Sequence, residues 1–341
     1  MPTGFNLDTF LPRALFDRIT DVRVADPRQL EQIAFDRVQR RDLAPSGKLT
    51  ILAADHPGRG VIAVGGESLR MGDRRDYLAR IVRILLGTAF DGVMGTPDVI
   101  DELMILDHLF KRAGGASFLD GRVLIGCMQR GGVTGFTGEI DDRFGAYTAD
   151  SIRRSGLNGG KMLVRFDAAD ERTLRTLAYC GRAVTKLNEN HLASFVEPLH
   201  VRRVAKEVVQ DNDADSLTRL VGICAALGDS SRYMWLKLPY CDGFERVAGA
   251  TTLPILLLGG ISQEDPRDSY HDIAAGMRAS ANVRGVMVGR NVLYPGEYDP
   301  AAVAHAVQGI VYDGLNADSA EDAARAYQGI PEDALTRFIH L

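Results

Sequence analysis

Short apolar runs alternate along the chain with longer stretches in which apolar residues recur every three or four positions. Runs of the first kind suit buried strands and stretches of the second suit amphipathic helices, so their regular alternation predicts repeated βα units around a parallel sheet. Strands are expected at 49–54, 92–94, 123–127, 161–166, 193–196, 233–238, 255–258 and 285–288, with helices over 74–86, 98–112, 169–187, 213–227, 266–279 and 301–312. Each helical stretch is long enough for a right-handed crossover. From the first strand to the end of the last helix is about 265 residues, close to the roughly 250 of a (β/α)8 barrel. An α/β chain closed into a TIM barrel is therefore the expected fold class; a doubly wound open sheet is the alternative, and eight evenly spaced units favour closure.

Ahead of the first strand, Phe10, Leu11, Leu15, Phe16 and Ile19 fall at helical spacing, and a second helical segment spans 27–40 before Pro45-Ser46-Gly47. Residues 1–47 are expected to form an N-terminal helical extension, 48–316 the barrel, and 317–341 a C-terminal helical tail packed outside it.

Composition adds exclusions. The 341 residues are 45% hydrophobic and 25% charged, as in an ordinary globular protein with a sizeable core. The net charge of −5 is spread without a basic run, so no nucleic-acid partner is expected, and a small anionic substrate needs a local basic pocket. Cys127, Cys180, Cys224 and Cys241 lie far apart, with neither zinc-ligand spacing nor the density of a disulfide scaffold, which points to a reducing cytoplasm. The N-terminus lacks the pattern of a secretory leader and no run of about 18 apolar residues occurs, so no membrane association is expected.

In a TIM barrel the active site lies where the strands end, and here the strand ends are unusually polar. In order they are Asp55 and His56, Thr96, Gln129 and Arg130, Arg165 and Asp167, Glu197, Lys237, Gly259 and Gly260, then Gly289 and Arg290. Strand alternation puts Lys237 on one face with Tyr233 and Trp235. Both faces of a barrel strand are buried, and burial lowers a lysine's pKa, leaving free amine to attack a carbonyl. A snorkelling or salt-bridged lysine at the strand edge is the competing reading, and the residues alone leave both open.

Lys161 begins the fourth strand and is expected to point inward with Arg165, a second cation that depresses the pKa of Lys237 or holds a substrate oxygen; otherwise it sits at the bottom rim. Glu197 and Asp55 are carboxylates placed to shuttle protons, or else partners for Lys161 and Arg165, and both roles can hold together. Glycines at 259, 260 and 289 let backbone N–H groups approach a phosphate after the last two strands, with Arg290 adding charge at the rim. The Gly-rich stretch 131–138 is either a loop over the pocket or an ordinary solvent loop. Cys127 reads as a small core residue, and Cys241 is given no chemistry.

These residues, over about 49–295, resemble the class I, Schiff-base aldolases of the deoxyribose-phosphate and tagatose-bisphosphate aldolase superfamily. The resemblance is carried by Asp55-His56 ending the first strand, Lys161 in the fourth, Glu197-Pro198-Leu199 ending the fifth, Lys237-Leu238-Pro239-Tyr240 ending the sixth, and the Leu-Gly-Gly and Val-Gly-Arg-Asn segments ending the last two. It implies Lys237 as the Schiff-base lysine, no cofactor and no metal, and a homo-oligomer with the N-terminal extension as an interface element. More closely, the chain is similar to an actinobacterial branch that accompanies inositol-catabolism enzymes. That similarity implies cleavage of 2-deoxy-5-keto-gluconate 6-phosphate into dihydroxyacetone phosphate and malonate semialdehyde. Under it Arg130, Arg59 or Arg165 grips the substrate carboxylate, and His56 lines the substrate pocket. The long extension, the Gly-rich loop and Arg59-Gly60 depart from better-known members.

Rival readings are a deoxyribose-phosphate, ketose-bisphosphate or thiolase-like variant using the same lysine, and a non-catalytic sugar-phosphate-binding barrel. A metal-dependent aldolase would rest on His56 and His200 with Glu197 or Asp55, without the HxH or HExxH spacing that favours zinc. Serine-hydrolase, kinase and nicotinamide motifs are absent from the sequence.

Overall fold

The structure is a computed structural model describing residues 4–129, 132–136, 138–204, 207–260 and 265–339. Its strands are β1 (Leu49–Ala54), β2 (Gly92–Gly95), β3 (Val123–Cys127), β4 (Gly159–Phe166), β5 (Ala193–Val204), β6 (Glu207–Gln210), β7 (Met234–Leu238), β8 (Ile255–Leu258) and β9 (Val283–Val288). Eight of them run parallel in the order β1-β2-β3-β4-β5-β7-β8-β9, and β9 pairs back onto β1. The sheet is a closed (β/α)8 barrel, and the open doubly wound alternative falls.

Closure follows from the alternation of side chains. Leu49, Ile51 and Ala53 of β1, Ile125 and Cys127 of β3, Phe195 of β5, Leu256 of β8 and Met287 of β9 meet in one interior cluster. Their neighbours Leu52, Leu124, Val196, Leu236, Leu257 and Val288 face outward and pack with the helices in a second, larger cluster. Strands apolar on both faces need cover on each, and here the helical shell supplies it outside and the filled interior inside. Gly285, at φ 132°, lies on β1 so closely that a Cβ there would stand 1.9 Å from the Leu49 carbonyl oxygen.

The helices fall close to the expected spans. Arg74–Gly87 begins at Asp73, whose side chain accepts the N–H groups of Arg75 and Asp76. The helix expected over 301–312 is Pro300–Gln308, followed by a π turn, Gly309–Asp313, that stops at Gly314 with φ 72°. Three helices precede the barrel, Leu7–Phe10, Arg13–Ala25 and Gln29–Asp36, and bury Phe10, Leu11, Leu15 and Ile19. The segment expected to be helical to 40 ends at Asp36. Beyond it Arg37 turns inward, and its guanidinium donates to the carbonyls of Leu119, Arg122 and Gly156. After the barrel a single described helix, Ala317–Ala326, packs on Arg267–Ala279 and Pro300–Gln308. Among the described residues no helix is long and apolar enough to cross a membrane.

The largest departure is in β5, expected to end at 196 but continuing to Val204. Its outer half folds back on β6 as an antiparallel hairpin, pairing Val201 with Gln210 and Val204 with Glu207. This hairpin rises from the C-terminal end of the barrel and walls the cavity there.

Candidate active site

Register brings the predicted residues together. β5 and β7 pair Val196 with Leu236, so the next residues, Glu197 and Lys237, stand side by side and face inward above Phe195 and Trp235. Those two rings lie 6.2 Å apart and form a floor beneath them. Tyr233 precedes the strand instead of sharing this face, and its hydroxyl meets His191 Nδ1 at 3.1 Å. β4 starts at Gly159, two residues before the expected position, which lifts Lys161 off the rim and into the barrel opposite Cys127 and Phe195.

Lys237 Nζ donates to Glu197 Oε1 at 2.8 Å, while Lys161 Nζ lies 2.5 Å from Glu197 Oε2 and 3.1 Å from Asp55 Oδ2. Asp55 Oδ2 also accepts from Arg59 Nε at 2.9 Å. All five side chains are buried. They line a cavity of about 650 Å³ at the C-terminal end of the barrel.

Buried charges so close shift one another. Burial lowers the pKa of Lys237, and Lys161 lowers it further, against the pull of Glu197. Burial and Arg59 also act downward on Lys161, but Asp55 and Glu197 outweigh them and its pKa is raised. Burial alone would raise the carboxyl of Glu197; the two lysines hold it at about 2. Asp55 is likewise held well below its ordinary value, with burial opposed by Lys161 and Arg59. The cluster thus contains two cations, Lys161 and Arg59, two ionised carboxylates, and one amine pushed toward its neutral form. That combination suits nucleophilic attack on a carbonyl with a base alongside.

On the far wall stand the glycine turns. Gly289 leaves no room for a side chain, since a Cβ would lie 2.4 Å from His56 Cε1 and 2.6 Å from the Ala53 carbonyl. Gly260, at φ 69°, turns the chain after β8, and its carbonyl accepts Arg290 Nη2 at 3.2 Å. Arg290 forms no ion pair among the described residues, and burial lowers its pKa despite Glu197. Among the described residues it is a cation lining the cavity without a paired carboxylate. Burial brings His56 to about 4, so its imidazole is neutral at physiological pH. Asn291, part of the Val-Gly-Arg-Asn segment but given no role of its own in the sequence, donates to the Gly259 carbonyl and lines the same wall.

Two of the arginines expected to grip a carboxylate, Arg59 and Arg165, are engaged. Arg59 reaches Asp55 and Asp142, and Arg165 reaches Glu139 at 3.1 Å and Asp142 at 3.5 Å. Arg130 lies outside the described residues, as does Gly131 of the Gly-rich stretch. Three other strand-end residues serve the scaffold. Thr96 hydrogen-bonds Asp98, Gln129 donates to the Asp142 carbonyl and accepts the Leu163 N–H, and Asp167 accepts the Ala169 N–H. Cys127 is buried 3.5 Å from Arg59 Nη2, with burial raising its pKa. His200 pairs with Asp211 on the hairpin at 3.6 Å, and among the described residues no three His, Cys, Asp or Glu side chains converge as metal ligands. Glu139, Asp142 and the hairpin had no signal in the sequence beyond polarity after a strand.

No curated protein matches the chain. Among solved structures, that of Cgl0159 from Corynebacterium glutamicum (Brevibacterium flavum) is 34% identical, with a TM-score of 0.82, covering 92% of this chain and all of that one. An archaeal fructose-1,6-bisphosphate aldolase, solved with its catalytic lysine bound to the carbinolamine intermediate, is 19% identical, with a TM-score of 0.58 over 83% of this chain and 99% of its own. Fructose-bisphosphate aldolase from Slackia heliotrinireducens DSM 20476 is 12% identical, with a TM-score of 0.63 over 96% and 98%. At those identities the two aldolases attest the shared barrel. The family model described as Cgl0159-like matches residues 47–310, and with the Corynebacterium relative it shows that the chain belongs to the Cgl0159-like family.

Proposed function

We propose that this protein is a class I aldolase, a carbon–carbon lyase that cleaves a phosphorylated keto sugar or sugar acid through a Schiff base on Lys237. The observation carrying the proposal is the buried Lys237 amine, lowered in pKa and 2.8 Å from a carboxylate held ionised at about 2. Its neutral amine adds to the substrate ketone, and the carbinolamine loses water to give an iminium. The bond one carbon away then breaks, its electron pair flowing into the iminium to form an enamine, while Glu197 or Asp55 takes the hydroxyl proton and the aldehyde leaves. Lys161, cationic between the two carboxylates, steadies the oxygen that gains charge. Gly259, Gly260, Gly289 and Arg290 hold the phosphate, with His56 neutral beside it.

The substrate we favour is 2-deoxy-5-keto-gluconate 6-phosphate, giving dihydroxyacetone phosphate and malonate semialdehyde, because its ketone stands one carbon from the bond to be broken. The aldolases of the same fold support the reading by analogy alone. Incubation with dihydroxyacetone phosphate and borohydride, followed by peptide mass spectrometry, tests it. An adduct on Lys237 that is lost in Lys237→Met is the expected result; no adduct, or one on Lys161, would sink the mechanism.

A further inference from the structure

Asp142 follows the loop after β3 and lies outside the cavity lining, yet it is fully buried and fixed on every side. Its Oδ1 accepts the Gly132 N–H at 2.6 Å, and its Oδ2 lies 3.3 Å from Arg59 Nη1 and 3.5 Å from Arg165 Nη1. Its own backbone N–H donates to Thr176 Oγ1 at 3.2 Å, and its carbonyl accepts Gln129 Nε2 at 3.1 Å. A carboxylate so placed has one electrostatic task, which is to keep two adjacent guanidinium groups together in a dry environment.

The consequence runs through Arg59. A guanidinium is a rigid planar fork, so fixing Nη1 on Asp142 also fixes where Nε points. Nε points at Asp55 Oδ2, the same oxygen that Lys161 reaches from β4. Without the Asp142 charge, Arg59 is free to close on Asp55 with both arms and to draw it from Lys161. Lys161 would then lean wholly on Glu197, the carboxylate that Lys237 needs. Charge balance runs the same way. Asp55, Glu139, Asp142 and Glu197 face the cations Arg59, Lys161 and Arg165, which leaves the cluster one positive charge short of neutrality. Lys237 supplies that charge when it becomes an iminium.

We infer that Asp142 is a positioning residue of this site: by holding Arg59 from behind it keeps Asp55 aligned with Lys161, and so leaves Glu197 to serve Lys237. The inference rests on the Schiff-base reading above. The test is borohydride trapping with dihydroxyacetone phosphate in the full chain, comparing the wild type, Asp142→Asn and Thr176→Val. Thr176→Val removes the hydroxyl that ties down the same segment but leaves every charge in place. Asp142→Asn is expected to trap about 10²-fold more slowly at saturation, with its half-saturating concentration within about twofold of the wild type, since no group touching the phosphate has changed. Thr176→Val is expected to trap at the wild-type rate. Wild-type trapping by Asp142→Asn, or equal losses in both variants, overturns the inference. Should Asp142→Asn not fold, Arg59→Lys keeps a charge beside Asp55 but cannot span to Asp142, and the same split between rate and half-saturation is expected; a wild-type rate there overturns the inference too. Absence of trapping in the wild type strikes instead at the Schiff-base reading, and takes this inference with it.

Discussion

Lys161 and Lys237 hold opposite oxygens of a single carboxylate, Glu197, at 2.5 and 2.8 Å. They are not equal partners. Lys161 has Asp55 as a second anion and stays cationic, and its charge helps depress Lys237.

Removal of that charge should therefore shift the chemistry of Lys237 in a known direction. Lys161→Met deletes a like charge and leaves the whole of Glu197 to Lys237, so the Lys237 pKa rises from its depressed value toward or past the ordinary 10.5. The neutral amine is the reactive form, and activity lost at low pH is regained as pH climbs through that pKa. The acid limb of borohydride trapping should move to higher pH in the variant, with the rate near neutrality falling and partly recovering as the solution is made alkaline. A limb that stays put would mean the Lys161 charge is not felt at Lys237.

Arg290 makes a contrasting prediction, since it is placed to bind and not to react. Its guanidinium reaches the Gly260 carbonyl and forms no ion pair among the described residues. Arg290→Ala should raise the half-saturating concentration of dihydroxyacetone phosphate by roughly 10- to 100-fold, the worth of about 1.5–3 kcal/mol for a hydrogen bond to a charged group. The trapping rate at saturation should hardly change. Unaltered half-saturation in the variant would place the phosphate somewhere other than the β8 and β9 turns.

How much of this was legible in the sequence depended on the kind of physics involved. The inward direction of Lys237 followed from alternation with Trp235, a local rule that closure of the barrel does not alter. The strand ends carrying Asp55 and Glu197 were marked by a change from apolar to polar residues. What alternation cannot give is which charges neutralise one another. Arg59 was assigned to a substrate carboxylate from its residue type and its place just past a strand end. Its engagement by Asp142, 83 positions along the chain, appears only once β1 and the loop after β3 are side by side. Likewise, Arg37 ends its helix early because carbonyls of Leu119, Arg122 and Gly156 lie within its reach. The β5 hairpin escaped notice for a related reason. Its outer half pairs with one neighbouring strand and lacks the all-apolar composition of a strand buried on both faces.

Another buried ion pair, outside the cavity lining, separates stability from chemistry. Arg83 on the helix Arg74–Gly87 donates to Asp299 Oδ2 through Nε at 2.8 Å and Nη2 at 2.5 Å, and both side chains are almost wholly buried. Asp299 also caps the helix Pro300–Gln308 by accepting the Ala301 N–H at 2.9 Å, and Arg83 Nη2 lies 3.4 Å from the Ile330 carbonyl. One pair thus ties the last barrel helix and the tail to the first βα unit. Asp299→Asn preserves size and keeps an oxygen for the cap, but it strands a buried guanidinium, a loss of about 3–5 kcal/mol. Urea unfolding should register that loss, while the trapping rate per folded molecule at Lys237 remains that of the wild type, because the substitution leaves every charge of the catalytic cluster in place. An unfolding free energy within about 1 kcal/mol of the wild type would show that the surrounding carbonyls suffice for Arg83, since a surplus of neutral hydrogen bonds is the alternative way to hold a buried guanidinium.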